Sequence, residues 1–279
     1  MHRVRHIREI RAQIEDWKRR NLKIAFVPTM GNLHAGHLSL IDIARQHADR
    51  LVSSIFVNPM QFSANEDLDT YPRSIEADCT KLMEHDCDLV FLPDNNSLYP
   101  QGLDNLTIID VAPINQDFEG AFRPGHLQGV ATVVLKLFNL VQPNIAVFGK
   151  KDYQQWRMIE KMVQDLNLPI DIMGGETVRE QDGLAMSSRN QYLSDLERQR
   201  APEIHRQLSH IAAAIRAGTT DFEGLCESAR EQLEAHQFSI DYLEITDQKT
   251  LGPPRHGEPR VILCAAHLGD TRLIDNLET

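Results

Sequence analysis

Cysteine is sparse in this 279-residue chain: Cys79, Cys87, Cys226 and Cys264 are scattered, with no pair at metal-ligand spacing. Neither a disulfide framework nor a zinc site is expected, and reduced structural thiols are the default. Long apolar runs are lacking as well. Residues 130–141 come near to one, but Lys136 and Asn139 interrupt them. A bilayer span needs roughly 20 apolar residues, so no membrane helix is expected. The first twenty residues, MHRVRHIREIRAQIEDWKRR, are too charged for a signal peptide and carry acidic residues uncommon in transit peptides. A cytoplasmic location is the expectation. Positive charge is in deficit, with 29 Lys and Arg against 40 Asp and Glu and a net charge of -11. That balance excludes a general nucleic-acid binder, whose affinity comes from Lys and Arg replacing counterions at phosphates. The basic N-terminal stretch is broken by Glu9, Glu15 and Asp16 and reads as a solvated helix face. Internal repeats and low-complexity segments are missing too.

What is present is a globular composition, 42% hydrophobic and 25% charged, long enough for one large or two ordinary domains. Ile7, Ile10, Ile14 and Trp17 recur at helical spacing, and the short β-rich run 22–27 ends at Pro28. Periodicity then predicts a helix at 37–49, a strand at 51–57, a helix at 74–86 and a strand at 88–92. It continues with a strand at 106–111, a buried helix at 127–141, a strand at 144–148, a helix at 152–167 and a strand at 169–173. Such alternation implies an α/β fold: a Rossmann-like parallel sheet with right-handed crossovers. After Gly174-Gly175 the pattern changes, and Ser194-x-x-Glu197 is a capping-box signature. Helices at 195–216 and 221–236 and strands at 240–245, 260–266 and 271–275 predict a smaller α+β domain. The expected division is 1–176 for the sheet domain and 177–279 for a C-terminal lid domain.

In an open parallel sheet, ligands bind beyond the carboxyl ends of the strands, so the loops there carry the first candidates. After the first β-rich run come His34-Ala35-Gly36-His37, where a helix start would offer free N–H groups and a positive dipole end to an anion. Capping or packing histidines are the structural alternative. Asn58-Pro59-Met60-Gln61-Phe62 places amides where a small polar substrate could be gripped, or makes an ordinary turn. Gly149-Lys150-Lys151-Asp152 does not fit a Walker A loop. Its lysines can still neutralise phosphate as point charges, while Asp152 and Gln155 can equally form a capping-box-like arrangement. Met186-Ser187-Ser188-Arg189-Asn190 offers hydroxyls and a guanidinium to a polyphosphate, or a hydrogen-bonded turn. Arg123, in a turn-rich loop, is a lone candidate carboxylate binder.

HAGH followed by MSSRN resembles the HIGH and KMSKS motifs of the nucleotidyltransferase superfamily, which includes class I aminoacyl-tRNA synthetases. The chain is more closely similar to the pantoate–β-alanine ligases. That likeness runs through PTMGNLHAGHLSL, FVNPMQF, DLDTYPRS, FRPGHLQGVATVVLKLFNLVQP, FGKKDYQQ, TVREQDGLAMSSRNQYLS, DYLEITD and LGDTRLIDN, which together span nearly the whole chain. Leu127 stands where the family usually has Phe, a change expected only to alter packing. The resemblance implies ATP-dependent condensation of (R)-pantoate with β-alanine to pantothenate, AMP and pyrophosphate through a pantoyl adenylate, with Mg²⁺ accompanying ATP. It implies an ATP site of Met30, Gly31, Asn32, Leu33, His34, Ala35, Gly36, His37, Gly149, Lys150, Lys151, Asp152, Val178, Met186, Ser187, Ser188 and Arg189. It assigns pantoate to Gln61 and Gln155, β-alanine to Gln61 and the catalytic acid to His37, with His34, Lys151 and Arg189 assisting. Metal ligands stay unassigned. A homodimer without nucleic-acid or membrane partners is also implied. Two rivals remain on the sequence: another nucleotidyltransferase with a different acceptor, and a nucleotide-binding regulator without turnover.

Overall fold

The computed structural model describes residues 1–63, 66–255 and 257–279. Its chain divides into two units, Met1–Lys150 with Met158–Gly175, and Lys151–Arg157 with Glu176–Thr279.

The first unit contains β1 (His2–Val4), α1 (Ile7–Arg19), β2 (Ile24–Thr29), α2 (Ala35–His47), β3 (Arg50–Ile55), α3 (Ile75–Glu84) and β4 (Leu89–Phe91). The short helices α4 (Asn95–Leu98) and α5 (Glu119–Phe122) precede α6 (His126–Val141) and β5 (Ile145–Gly149). Then come α7 (Tyr153–Asp165), whose first residues belong to the second unit, and β6 (Asp171–Gly175). Among the described residues, six strands form one parallel sheet in the order β1-β4-β3-β2-β5-β6. Residues 24–27 and 51–55 are buried without alternation, as strands of a parallel sheet covered on both faces require. The core includes Ala25, Val27, Leu40, Ile41, Leu51, Leu82, Val90 and Val147.

The chain runs outward from β2 through β3 to β4, then resumes on the other side of β2 with β5 and β6. The switch point therefore lies between β2 and β5, where open α/β sheets place their ligand crevice. Ala25 pairs with Ile145 across it. At the end of β2 the backbone turns sharply, with φ of +87° at Gly31 and +50° at Asn32. A side chain at residue 31 would be strained there and would meet Ile55 at 3.0 Å and the Asp78 carboxylate at 3.1 Å.

Asp78, fully buried on α3, fixes that turn. Its two oxygens accept from Asn32 N at 2.9 Å and Leu33 N at 2.8 Å, and Ser74 Oγ donates to it at 3.0 Å. One turn on, Lys81 Nζ donates to the Leu33 carbonyl at 2.6 Å. The loop's N–H groups and a carbonyl thus meet complementary charges from a single helix face at i and i+3.

Residues 106–111 do not form the expected strand. Ile109 N instead donates to Thr132 Oγ1 of α6 at 3.0 Å, so a side chain supplies the partner a sheet neighbour would have given. Sequence periodicity also misses β1, because three residues with exposed His2 and Arg3 carry no apolar alternation.

The second unit holds α8 (Asp195–Arg200), α9 (Glu203–Arg216), α10 (Phe222–Ala235), β7 (Phe238–Asp247), β8 (Arg260–Leu268) and β9 (Thr271–Glu278). Among the described residues, its three strands form an antiparallel sheet, β7-β8-β9. Leu208, Leu233, Leu243, Ile262 and Leu268 centre its core. The capping box is present, with Ser194 N donating to Glu197 Oε2 at 2.8 Å and Glu197 N to Ser194 Oγ at 3.4 Å. The single helix expected over 195–216 is two. Pro202 lacks the N–H that an uninterrupted helix would need, and α9 restarts at Glu203. Among the described residues no helix is long and apolar enough to cross a membrane.

Replacing Asp78 with Ala would leave the Asn32 and Leu33 N–H groups without their acceptor. The expected loss is about 3 kcal/mol of stability, read as a lowered denaturant midpoint, with Asp78→Asn intermediate because it keeps one acceptor oxygen. Midpoints equal to wild type in both variants would show that Asp78 does not carry the loop.

Candidate active site

The motif histidines sit where the turn held by Asp78 enters α2. His34 is the N-cap residue, and its Nδ1 accepts from Gly36 N at 3.2 Å, while His37 Nδ1 accepts from His34 N at 3.3 Å. The rings lie 4.1 Å apart between centroids, tilted by 45°. The capping role expected as one alternative is thus present for His34. A nitrogen that accepts carries no proton, so the neutral tautomer of each ring keeps its proton on Nε2 as a donor. Ala35 and Gly36 open a helix with no acidic residue of its own in the first turn, and the nearby carboxylate of Asp78 is bonded to the preceding Asn32 and Leu33 N–H groups. Met30, Gly31, Asn32 and Leu33 form the turn itself, and Gly149 and Lys150 stand at the end of β5, on the far side of the switch point.

Gln61 comes to the same end of the sheet. After β3 the segment Pro59–Gln61 winds into a 3-10 turn capped by Asn58, whose Oδ1 accepts from Met60 N at 3.3 Å. Gln61, only 9% exposed, directs Nε2 to Met30 Sδ at 3.1 Å and receives Asn58 Nδ2 on its Oε1 at 3.2 Å. Asn58 is fixed in turn by Tyr99, whose hydroxyl donates to its Oδ1 at 2.7 Å, and by the Gly129 carbonyl at 3.2 Å. Gly129 must lack a side chain, because a Cβ would lie 2.4 Å from the Met60 carbonyl oxygen. Sequence reasoning passed over Asp78, Tyr99 and Gly129. The bare glycine within the apolar pattern of α6 was the one available signal of a close backbone approach.

Arg123 is occupied inside the protein. Its guanidinium makes two 2.7 Å bonds to Glu66, a 3.3 Å contact with Glu119 and a 3.4 Å bond to the Gln61 carbonyl. His126 lies beside it. A carbonyl can only accept, so the 2.8 Å contact of His126 Nδ1 with the Gln61 carbonyl puts the ring proton on Nδ1, leaving Nε2 to accept from Arg123 Nη1 at 3.0 Å. Desolvation of the ring and the adjacent Arg123 push its pKa down to about 4, against the Gln61 carbonyl, Glu119 and Glu66.

The remaining candidates belong to the second unit. Lys151 and Asp152 lie in the 3-10 turn Lys150–Asp152, and Gln155 in the first turn of α7. Met186 N donates to the Val178 carbonyl at 3.0 Å, closing a hairpin in which Arg179 bridges Ala185. Ser187 then caps the 3-10 segment Ser188–Tyr192 by accepting from Arg189 N at 3.2 Å, and Asn190 Nδ2 donates to the Ala185 carbonyl at 3.1 Å. Val178 and the run Met186–Arg189 are therefore one local structure. Among the described residues no group of three or more His, Cys, Asp or Glu side chains is placed to hold a metal ion.

The low His126 pKa has a consequence for stability. Between about pH 6.5 and about pH 4 the unfolded chain binds a proton at this ring that the folded chain refuses. Stability should be fully present above that window and fall as pH is lowered through it. A His126→Asn variant should show a shallower loss across the same range; an identical pH slope in both proteins would contradict the assignment.

The chain matches the family model for pantoate-beta-alanine ligase over residues 2–278. It is 53% identical to a pantothenate synthetase of Azotobacter vinelandii, over 98% of this chain and 97% of that protein. The fold is similar to the crystal structure of a pantothenate synthetase from Thermus thermophilus, with a TM-score of 0.92, 42% identity and 99% of each chain covered. It is also similar to a pantoate-beta-alanine ligase from Francisella tularensis complexed with beta-gamma ATP and beta-alanine. There the TM-score is 0.81 at 33% identity, covering 99% of this chain and 97% of that one. The chain belongs to the pantoate–β-alanine ligase family.

Proposed function

We propose that the chain condenses (R)-pantoate with β-alanine at the expense of ATP, through a pantoyl adenylate, with the residues described above. The observation that carries this reading is the turn into α2, where both imidazoles accept backbone N–H groups through Nδ1 at the helix N-terminus. Each ring then carries its proton on Nε2, the nitrogen that would donate to a phosphate oxygen on this reading. Gln61, held by Asn58 and bonded to Met30, is the neutral amide that pantoate and then β-alanine would meet.

Pantoate is already a carboxylate at neutral pH, so its oxygen can attack the α-phosphorus of ATP without a protein base. The α-to-β bridging P–O bond breaks and its electron pair leaves with pyrophosphate. The obstacle is repulsion between anions, and donors that strengthen as charge moves onto pyrophosphate lower it. Met30–His37, Gly149, Lys150, Lys151, Asp152, Val178 and Met186–Arg189 would serve ATP, with His37 as the acid, and Gln155 would join Gln61 on pantoate. Mg²⁺ would enter with ATP as part of the substrate. In the second step the free amine of β-alanine attacks the acyl carbon, the acyl C–O bond breaks, AMP departs with that electron pair, and the nitrogen releases one proton to solvent. We propose a cytoplasmic homodimer, as the family resemblance implies.

Three results would test this. ATP–pyrophosphate exchange without amine, measured across a panel of small carboxylates, should depend on pantoate; exchange with another carboxylate instead would replace the substrate. Lys151→Ala should slow adenylation by roughly a hundredfold, the scale of losing one preorganised donor, and an unchanged rate of pyrophosphate formation would remove Lys151 from the site. Since the β-alanine amine titrates much like lysine, single-turnover aminolysis should quicken from about pH 7 to about pH 9 as free amine accumulates. A flat profile would point to a protein base.

A further inference from the structure

Two adjacent residues of β9, Asp275 and Asn276, face two separate stretches of the second unit. Asp275, 5% exposed, receives both arms of the Arg179 guanidinium, at 2.7 Å and 2.9 Å. Arg179 also donates to the Gly183 carbonyl at 3.1 Å and the Asn276 carbonyl at 3.3 Å. Its guanidinium therefore ties the tip of the hairpin, as well as the strand bearing Val178, to β9. Asn276, 6% exposed, turns its side-chain amide the other way and donates Nδ2 to the Lys151 carbonyl at 2.8 Å. Tyr153, two residues on, is fastened to the same strand through its hydroxyl, which donates to Glu278 Oε1 at 2.9 Å.

We infer that Asp275 and Asn276 are positioning residues for the nucleotide: one brace on β9 sets Ser187–Arg189 through Arg179 and sets Lys151 through its carbonyl. The physical basis is rigidity. A strand hydrogen-bonded along its length to β8 moves less than a hairpin and a 3-10 turn that have no sheet of their own. A planar fork on a carboxylate fixes direction as well as distance. Lys151 and the hairpin therefore share one reference point, which matters because displacing a group by about 1 Å can cost on the order of a hundredfold in rate. Asn276 N donates to Asp275 Oδ1 at 2.8 Å, and His205 Nδ1 lies 3.8 Å from Asp275 Oδ2; the His205 pKa is lowered by desolvation and by Arg179, against Asp275.

This inference rests on the ATP site proposed above, and double-mutant cycles in ATP–pyrophosphate exchange separate the two. Asn276→Ala is expected to lower kcat/KM for ATP by about tenfold in the wild-type background, and by less than about twofold when Lys151 is already Ala. Asp275→Asn should show the same loss of effect in an Arg189→Ala background but keep its effect in Lys151→Ala. A merely structural role would give equal losses in every background, and that additivity would overturn the brace while leaving the ATP site standing. Lys151→Ala and Arg189→Ala variants that exchange at the wild-type rate would overturn the site and the brace with it. Should Asn276→Ala fail to fold, Asn276→Thr takes its place, being β-branched and too short to reach the Lys151 carbonyl.

Discussion

Two backbone N–H groups, those of Asn32 and Leu33, end on one buried carboxylate, and the loop from β2 into α2 depends on that arrangement. A turn with two successive residues at positive φ has little reason to keep its shape without a partner. Asp78 supplies one from α3, and Lys81 on the same helix face secures the next carbonyl. With the turn fixed, His34 arrives as the N-cap of α2 and His37 falls three residues on, so each ring accepts a backbone N–H through Nδ1. The fold thereby sets the tautomer, with the proton of each ring on Nε2. Gln61 depends on a parallel device. Its orientation comes from Asn58, which Tyr99 and the Gly129 carbonyl hold, and Gly129 lets α6 approach the 3-10 turn closely enough to do so.

Much of this was legible from residues alone. Alternating β-rich runs and helical periods predicted the parallel sheet, because strands buried on both faces read as continuous apolar stretches. The strand expected at 106–111 does not form because its apolar residues line no sheet: much of the run is exposed, Ile108 by 57%, and among the described residues no strand pairs with it. Ile109 found Thr132 instead. β1 escaped notice for the opposite reason: its pairing with β4 is made by the backbone of His2–Val4, whose side chains carry no signal. Among the site residues, those that would touch phosphate stand in recognisable runs, whereas the residues that hold them do not. Asp78 and Asp275 look like ordinary polar residues of a helix and a strand. Only the folded chain shows that each spends its carboxylate on a distant loop.

The family is set by similarity along the whole chain, and the geometry adds a physical account of how its reaction could run here. The substrate carboxylate needs no activation as a nucleophile, so the protein's task is to let two anions meet and to receive the charge that leaves. Neutral imidazoles, an amide and a helix N-terminus suit the first unit's part, because they offer donors without demanding that a buried positive charge be sustained. Net negative charge over the whole chain is compatible with this, since what counts is the local arrangement of donors.

The central claim is that the pantoate carboxylate itself attacks the α-phosphorus. Pantoate labelled with oxygen-18 in its carboxylate tests this directly, with the products separated and weighed by mass spectrometry. The account predicts that AMP carries one labelled oxygen and pyrophosphate none. Unlabelled AMP would contradict it, because the acyl oxygen would then have left by a route that never joined it to the nucleotide.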